Sequence, residues 1–331
     1  MLVSLCVVAY NEENTIQSLF EDIKMQTYLH KNIQIVLVDG NSEDRTREMM
    51  DKFSESHDFY GVKVIGNPKR KQASGWNKAI TNADGDVIIR VDAHASIPPT
   101  FIQKNIDIIE SGEMISGGKR PNILVNSTDW TNTLLMAESS MFGSSFAPYR
   151  KSEKKKYVNS MFHAAYKKEV FETAGLFNED LGRTEDNELH YRMRKAGYNF
   201  CYSPEIISYQ HVRSTLRKMI QQKFSNGYWI GRTAFICPRC LSMYHFVPLI
   251  FFLAIVLSIL AVIKSTTFLI LLLSLYFIVA VLMSITSIIT EKKFTIEMCL
   301  LPLLFFLLHF SYGIGTFIGI ITYPFNRKVS S

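Results

Sequence analysis

Acidic and amide side chains gather at four short places in the chain: Asn11-Glu12-Glu13, Asp39-Gly40-Asn41-Ser42, Asp92-Ala93-His94 and Glu185-Asp186. Such groups can hold a divalent cation through oxygen or take a proton from a hydroxyl. The sequence has no G-x-G-x-x-G fingerprint and no G-x-x-x-x-G-K-[ST] loop, so dinucleotide redox chemistry and ATP-driven transport lose ground. A carboxylate-lined site without a glycine cradle must neutralise a phosphorylated ligand in another way, and a divalent metal is the obvious means.

Three of these clusters follow short apolar runs of strand length, Val3–Ala9, Ile33–Val38 and Asp86–Val91. Helix-like segments at 13–26, 43–54 and 72–82 lie after the first run, after the second and before the third. Strand–helix–strand alternation predicts parallel strands joined by right-handed crossovers, and an open parallel sheet binds ligands outside the carboxyl ends of its strands. The fourth cluster opens a helix with Thr184 at the N-cap, Leu189, Met193 and Ala196 on the buried face, and Gly197 as the stop. Acids are ordinary in a first helical turn, where they oppose the positive end of the dipole.

The charges divide the chain. Only five of its 36 Lys and Arg and two of its 30 Asp and Glu lie beyond residue 240, so a polar globular part precedes an oily tail. This excludes a wholly disordered chain, a disulfide-stapled miniprotein and a simple soluble monomer. The first residues lack a basic lead and read as a buried strand rather than a signal peptide. Five cysteines at irregular spacing fit a reducing compartment, and Cys237-Pro-Arg-Cys240, with no second ligand pair, reads as a membrane-proximal turn rather than a zinc site.

Phe246–Ile263, Phe268–Thr290 and Met298–Phe325 are free of Asp, Glu, Lys and Arg and predict three spanning helices, the first the weakest because Pro248 stands near its start. Arg232 and Arg239 before the first run, and Lys292 and Lys293 after the second, place those points in the cytosol, whereas Arg327 and Lys328 weaken that assignment if the third run spans. Before the first run, Leu216, Ile220 and Phe224 mark one helical face among Arg213, Arg217, Lys218, Lys223 and Arg232, which suits a helix on an anionic lipid surface. The expected organisation is a catalytic domain over 1–212, a basic interfacial segment over 213–240 and a membrane domain over 241–331.

Val7-Val8-Ala9-Tyr10-Asn11-Glu12-Glu13, Val38-Asp39-Gly40-Asn41-Ser42-Glu43-Asp44-Arg45-Thr46, Ala83-Asp84-Gly85-Asp86-Val87-Ile88 leading to Asp92-Ala93-His94, and Thr184-Glu185-Asp186-Asn187-Glu188-Leu189 resemble, in order and spacing, glycosyltransferase family 2. The resemblance covers roughly residues 1–232 and implies the GT-A fold, a Rossmann-like α/β domain with a mainly parallel sheet flanked by helices. The His211–Trp229 segment and the tail are more loosely similar to membrane-anchored glucosyltransferases of succinoglycan-type exopolysaccharide assembly.

The resemblance implies that Asp39 accepts a hydrogen bond from the uracil of a UDP-sugar, with Asn11 and Glu12 lining the same pocket. Lys71 would meet the diphosphate and Asn77 would lie near the nucleotide. Asp92-Ala93-His94 stands where the family usually has an Asp-x-Asp pair holding Mg²⁺ or Mn²⁺; the imidazole suits Mn²⁺ better. Asp92 would meet the metal or the ribose, and His94 and His211 would complete the metal shell. Asp186 would be the catalytic base, with Glu185 orienting the acceptor.

The activity implied is inverting transfer from a UDP-sugar, glucose favoured, to a membrane acceptor, most plausibly polyprenyl-diphosphate-linked. The enzyme would be multi-pass in the cytoplasmic membrane with its catalytic domain on the cytosolic face. The Gln-x-x-Arg-Trp motif of processive synthases is absent in its usual form around Gln221–Trp229. A processive synthase, a polyprenyl-phosphate glycosyltransferase and an inactive scaffold subunit of an export complex remain as rivals. No nucleic-acid partner is expected; a homo-oligomer or polysaccharide-assembly partners stay open.

Overall fold

The structure is a computed structural model that describes residues 1–124, 127–143, 152–212, 215–262 and 265–326. It divides into two compact units, residues 1–123 with 148–211, and residues 124–147 with 212–331.

In the first unit, β1 (Val3–Ala9), α1 (Ile16–Lys24), β2 (Ile33–Asp39), α2 (Thr46–Glu55), β3 (Gly61–Gly66), α3 (Gln72–Thr81) and β4 (Val87–Asp92) form the alternating run that the apolar periodicity predicts. Further on come β5 (Ala95–Ser96), α4 (Phe101–Glu110), β6 (Ile115–Lys119) and β7 (Asn122–Ile123). In the second unit, α5 (Asp129–Ser139) follows at once. The first unit then resumes with β8 (Lys156–Val158), β9 (Ala165–Lys167), α6 (Lys168–Ala174), α7 (Glu185–Lys195), β10 (Phe200–Ile207) and β11 (Tyr209–His211).

Eight strands make one sheet in the order β3-β2-β1-β4-β9-β6-β10-β8, and β5, β11 and β7 make a smaller one. The strands β3, β2, β1 and β4 are parallel neighbours, while β9 runs antiparallel to both β4 and β6. Both faces of the sheet are covered. Leu5, Val7, Ile35, Leu37 and Ile89 pack towards Leu19, Phe20 and Ile106, and Cys6, Val36, Val38 and Ile88 pack towards Trp76, Ala79 and Leu189. Burial on both faces explains why these strands read as continuous apolar runs.

The second unit is helical. Beyond α5 it holds α8 (Leu216–Ile236), α9 (Val247–Ala261), α10 (Thr267–Glu291) and α11 (Leu301–Asn326). Three segments, Met243–Ala261, Thr267–Glu291 and Ile296–Phe325, are long and apolar enough to cross a membrane. Pro238–Cys240 forms a short 3₁₀ turn after α8, in line with the turn expected there.

One expectation needs correction. The segment around α5 was expected in the catalytic domain, but Leu134, Met136 and Ala137 are buried with Met219, Met298, Leu301, Leu304, Phe305 and Leu308. Chain continuity places α5 with its neighbours in sequence; its apolar face is satisfied by helices far downstream. Helix α8 packs on the protein through a different face from the apolar one at Leu216, Ile220 and Phe224, which is the face expected at a lipid surface. Met219, Lys223, Gly227, Ile230, Gly231 and Thr233 are buried, and Phe224 is exposed. Glycines let backbones approach closely without registering as hydrophobic. Arg213, Lys264, Arg327 and Lys328 lie outside the described residues.

Candidate active site

The register of the central strands sets the site. Ala9 pairs with Asp39, Asp39 with Gly66, and Val8 with Asp92, so the carboxyl ends of four strands form one rim. Asp39 is buried there, its Oδ1 accepting the N–H of Ser42 at 3.1 Å. Gly40 follows because its N–H must reach Ala9 O at 2.7 Å, and an added Cβ would stand only 3.1 Å from that oxygen. Asn11 (φ 54°), Asn41 (φ 62°) and Arg70 (φ 54°) turn the chain through the left-handed region at the ends of three successive strands.

Asn11 and Glu12 lie at this rim, and both are committed to the loop. Asn11 Oδ1 accepts the N–H of Glu43 at 2.8 Å, and Asn11 N–H donates to Ser42 Oγ at 3.0 Å. Glu12 accepts from Thr15 Oγ1 at 2.6 Å and stands 3.1 Å from His94 Nδ1. Burial opposes a charge on His94, but the Glu12 hydrogen bond and the charges of Asp92 and Glu12 outweigh it and raise its pKa.

Asp92 sits in a basic pocket. Its Oδ2 is 3.1 Å from His163 Nε2 and 3.9 Å from an Arg120 guanidinium nitrogen. Burial would raise its pKa, but the His163 hydrogen bond and the nearby positive charges hold it far below the usual carboxylate range. His163 is itself buried and held below its ordinary pKa by desolvation, and its Nδ1 meets Ser208 Oγ at 2.9 Å. Nothing in the sequence pattern singled out His163 or Arg120; in the structure His163 takes a left-handed backbone, φ 48°, held by its tertiary contacts.

Arg90, two residues before Asp92 on β4, was also missed. Its guanidinium lies between the rings of Trp76 and Phe177, 4.3 and 4.4 Å from their centroids, and donates to Asp186 Oδ1 at 2.8 Å. Burial disfavours its charge, but Asp186 more than compensates. Asp186 and Glu185 open α7 behind Thr184, and the helix ends before Gly197 at φ 95°. Glu185 is 3% exposed, and its Oε2 is buried without a hydrogen-bond partner. Burial, then the charge of Asp186, pushes its pKa up to about 7. One turn on, His190 is fully buried between Ser160 Oγ at 2.8 Å and Tyr166 OH at 3.1 Å, and burial pushes its pKa down to about 4.

Lys71 and Asn77 are not drawn into this group. Asn77 Nδ2 donates to Phe177 O at 2.9 Å while its Oδ1 accepts the Phe177 N–H at 2.8 Å, and Lys71 Nζ donates to Glu179 O at 3.0 Å. Both tie down the segment that carries the Phe177 ring over Arg90. The amide of Asn77, expected near the nucleotide, is engaged here by the Phe177 backbone.

The three-donor metal shell is corrected. His211 reaches the site through β11, its N–H donating to His94 O at 3.1 Å, but its Nε2 meets Ser96 Oγ at 2.9 Å and its Nδ1 is buried without a partner. Among the described residues, no three His, Cys, Asp or Glu side chains gather into a group that could hold a metal ion. Asp92 and His94 give an oxygen and a nitrogen donor two residues apart. The donor chemistry of that pair, one oxygen and one imidazole nitrogen, is compatible with a divalent cation.

An open α/β sheet with carboxylates at its strand ends and a second acidic pair delivered by a helix N-terminus defines a nucleotide-sugar transferase of the GT-A class. A family model described as glycosyl transferase family 2 matches residues 4–175, over half of the chain, and the chain belongs to that family of glycosyltransferases. It is 28% identical over 231 residues to a dolichyl N-acetyl-alpha-D-glucosaminyl phosphate 3-beta-D-2,3-diacetamido-2,3-dideoxy-beta-D-glucuronosyltransferase of Methanococcus voltae, covering 68% of this chain and 71% of that protein. It is 27% identical over 236 residues to the succinoglycan biosynthesis protein ExoA of Rhizobium meliloti (strain 1021), covering 69% and 68%. A mannosyltransferase from Pyrobaculum calidifontis, solved with GDP-Man and Mn²⁺, shares the fold with a TM-score of 0.58 at 15% identity, covering 98% of this chain and 88% of that one.

Proposed function

We propose that this enzyme transfers a sugar, with inversion, from a UDP-sugar to a lipid-linked acceptor, most plausibly a polyprenyl-diphosphate-linked sugar in cell-surface polysaccharide synthesis. The observation that carries the reading is the Arg90–Asp186 contact at 2.8 Å, which ties the start of α7 to the strand that ends in Asp92. The base and the diphosphate end of the site thus share one buried anchor. The dolichyl phosphate in one relative's name and the succinoglycan in the other support a lipid-linked acceptor in polysaccharide synthesis.

Asp39 accepts a hydrogen bond from the uracil imide, and Asn11 and Glu12 shape the loop around it. Asp186 takes the proton from the acceptor hydroxyl; the freed oxygen attacks the anomeric carbon from the face opposite the leaving group, and UDP departs. Arg90 fixes the direction of the Asp186 carboxylate, and Glu185 beside it orients the acceptor. Asp92 and His94 would hold Mn²⁺ or Mg²⁺, which would supply positive charge against the leaving diphosphate. The enzyme is multi-pass in the cytoplasmic membrane, with the catalytic unit in the cytosol.

Membranes containing the full chain, given a panel of UDP-sugars and GDP-mannose with Mn²⁺ or Mg²⁺, should release UDP only when a lipid extract supplies the acceptor. Asp186→Asn should slow that release by about 10²–10⁴-fold while UDP binding stays within a few-fold of the parent. An unchanged rate in Asp186→Asn would remove the base assignment. Release of GDP alone would replace the donor, and product longer than one added sugar would favour a processive synthase.

A further inference from the structure

In the second unit, α8 and α11 run side by side and in the same direction. A Cβ added to Gly227 would lie 2.0 Å from Tyr312 O, and one on Gly231 2.3 Å from Thr316 O. From the other side, Gly315 would meet Phe224 O at 2.1 Å and Gly319 would meet Tyr228 O at 2.1 Å. These are two Gly-x-x-x-Gly steps set against each other, the small-residue spacing that lets helix backbones touch. The seam continues both ways. Phe235 stacks on Tyr323 with centroids 4.7 Å apart, and Met219 is buried in one cluster with Leu304 and Leu308. Partners rise together along both helices, so the pairing is parallel and covers nearly all of α8, about 30 Å at 1.5 Å per residue.

That direction constrains the path through a membrane. Between the end of α8 and the start of α11 lie α9 and α10, each within a segment long and apolar enough to cross. Two crossings return the chain to the side on which α8 ended, so α11 begins on that side. If α11 then crossed, its parallel partner α8 would cross the same way and end on the opposite side from where α11 begins, which contradicts the first step. Parallel pairing and two crossings are compatible only if neither α8 nor α11 crosses.

The outer faces agree. Arg217, Lys218 and Gln221 are exposed on α8, whereas Leu303, Ile321 and Phe325 are exposed on α11. A charged residue at the centre of a hydrocarbon slab is costly even on the mildest scale. Lying flat, the pair turns its basic side to headgroups and water and its apolar side to acyl chains. Helix α9 meets α11 through its first turns, where Gly313 faces Pro248 O and Phe252, and Phe251 meets Phe306. Beyond them Leu257, Ile259 and Leu260 are 64, 55 and 69% exposed, as expected of a helix that leaves the pair and enters lipid. Arg239, Lys292 and Lys293 then fall on one side, in accord with the positive-inside rule.

We propose that α8 and α11 form a glycine-seamed platform lying in the cytosolic face of the bilayer, bound to anionic lipid headgroups and the acyl chains beneath them, and that α9 and α10 are the membrane-crossing pair. The test places different epitope tags before Met1 and after Ser331 of the full chain and digests intact and permeabilised cells with protease. Both tags protected in intact cells and both cut after permeabilisation, with the protein retained in the membrane after alkaline carbonate, is the expected result. One tag cut in intact cells while the other survives overturns the proposal, because it requires an odd number of crossings. Release of the protein into carbonate also overturns it, because then nothing crosses.

Discussion

Each unit of this protein holds a cation buried against a carboxylate, Arg90 with Asp186 in the first and Lys223 with Glu138 in the second, and these two pairs are built differently. In the catalytic unit, Arg90 is clamped between Trp76 and Phe177 and donates to Asp186 at 2.8 Å. In the helical unit, Lys223 on α8 stands 3.3 Å from Glu138 on α5, with side chains 6 and 17% exposed. A planar guanidinium held by two rings has a fixed direction, whereas an ammonium on a flexible stem is a point charge that tolerates movement. The first pair aims a carboxylate; the second joins two helices. A buried pair is costly to halve but often neutral to replace outright by apolar residues, so the two sites should part company under substitution.

The largest effect is expected from Arg90→Met, which removes the anchor of Asp186. Transfer should fall at least about 10²-fold, on the scale of losing a general base, and stability should drop by about 3–5 kcal/mol. Restoring stability with Arg90→Met and Asp186→Leu together should not restore activity; steady-state UDP release beside a thermal melt in detergent reads both. Lys223→Met alone should lower stability by a similar ~3–5 kcal/mol while the folded fraction keeps its turnover. A loss of turnover per folded molecule there would erase the contrast between the pairs.

The third effect is a pH dependence. Glu185 has a pKa pushed up to about 7 by burial and by Asp186, so between its ordinary value of 4.5 and about 7 the native state keeps a proton that the unfolded chain has released. Its contribution is therefore present at low pH and lost as pH rises through that window. Glu185→Gln should flatten this slope, worth ~3 kcal/mol at most, in melts between pH 4.5 and 7.5. The smallest effect belongs to Lys223→Met combined with Glu138→Leu, expected near zero on both stability and turnover. A large loss in that double variant would give the second pair a role in function.

What the sequence made legible follows the range of the interactions. Asp39, Asp92 and the Glu185-Asp186 pair stand in short stretches whose neighbours announce a strand end or a helix start, so their placement could be read locally. Arg90 reaches a partner 96 residues away, and His163 reaches Asp92 across 71, so an arginine inside an apolar run and an isolated histidine carried no local signal. Asn77 is the converse case, a family position whose amide holds the Phe177 backbone. The helical unit was read from hydropathy, which counts Gly227, Gly231, Gly315 and Gly319 as nearly neutral and so passes over the seam they make.

That seam also imposes an order of assembly. The grooved side of α8 is made 88 residues before Gly315 and Gly319, 315 − 227 and 319 − 231, a delay of about 4–18 s at ordinary elongation rates. During that interval the hairpin of α9 and α10 can insert, while α8 holds its glycines open to whatever else is nearby. Chaperone or translocon contacts at Gly227 and Gly231 would be a feature of nascent chains alone, vanishing once the last helix is complete.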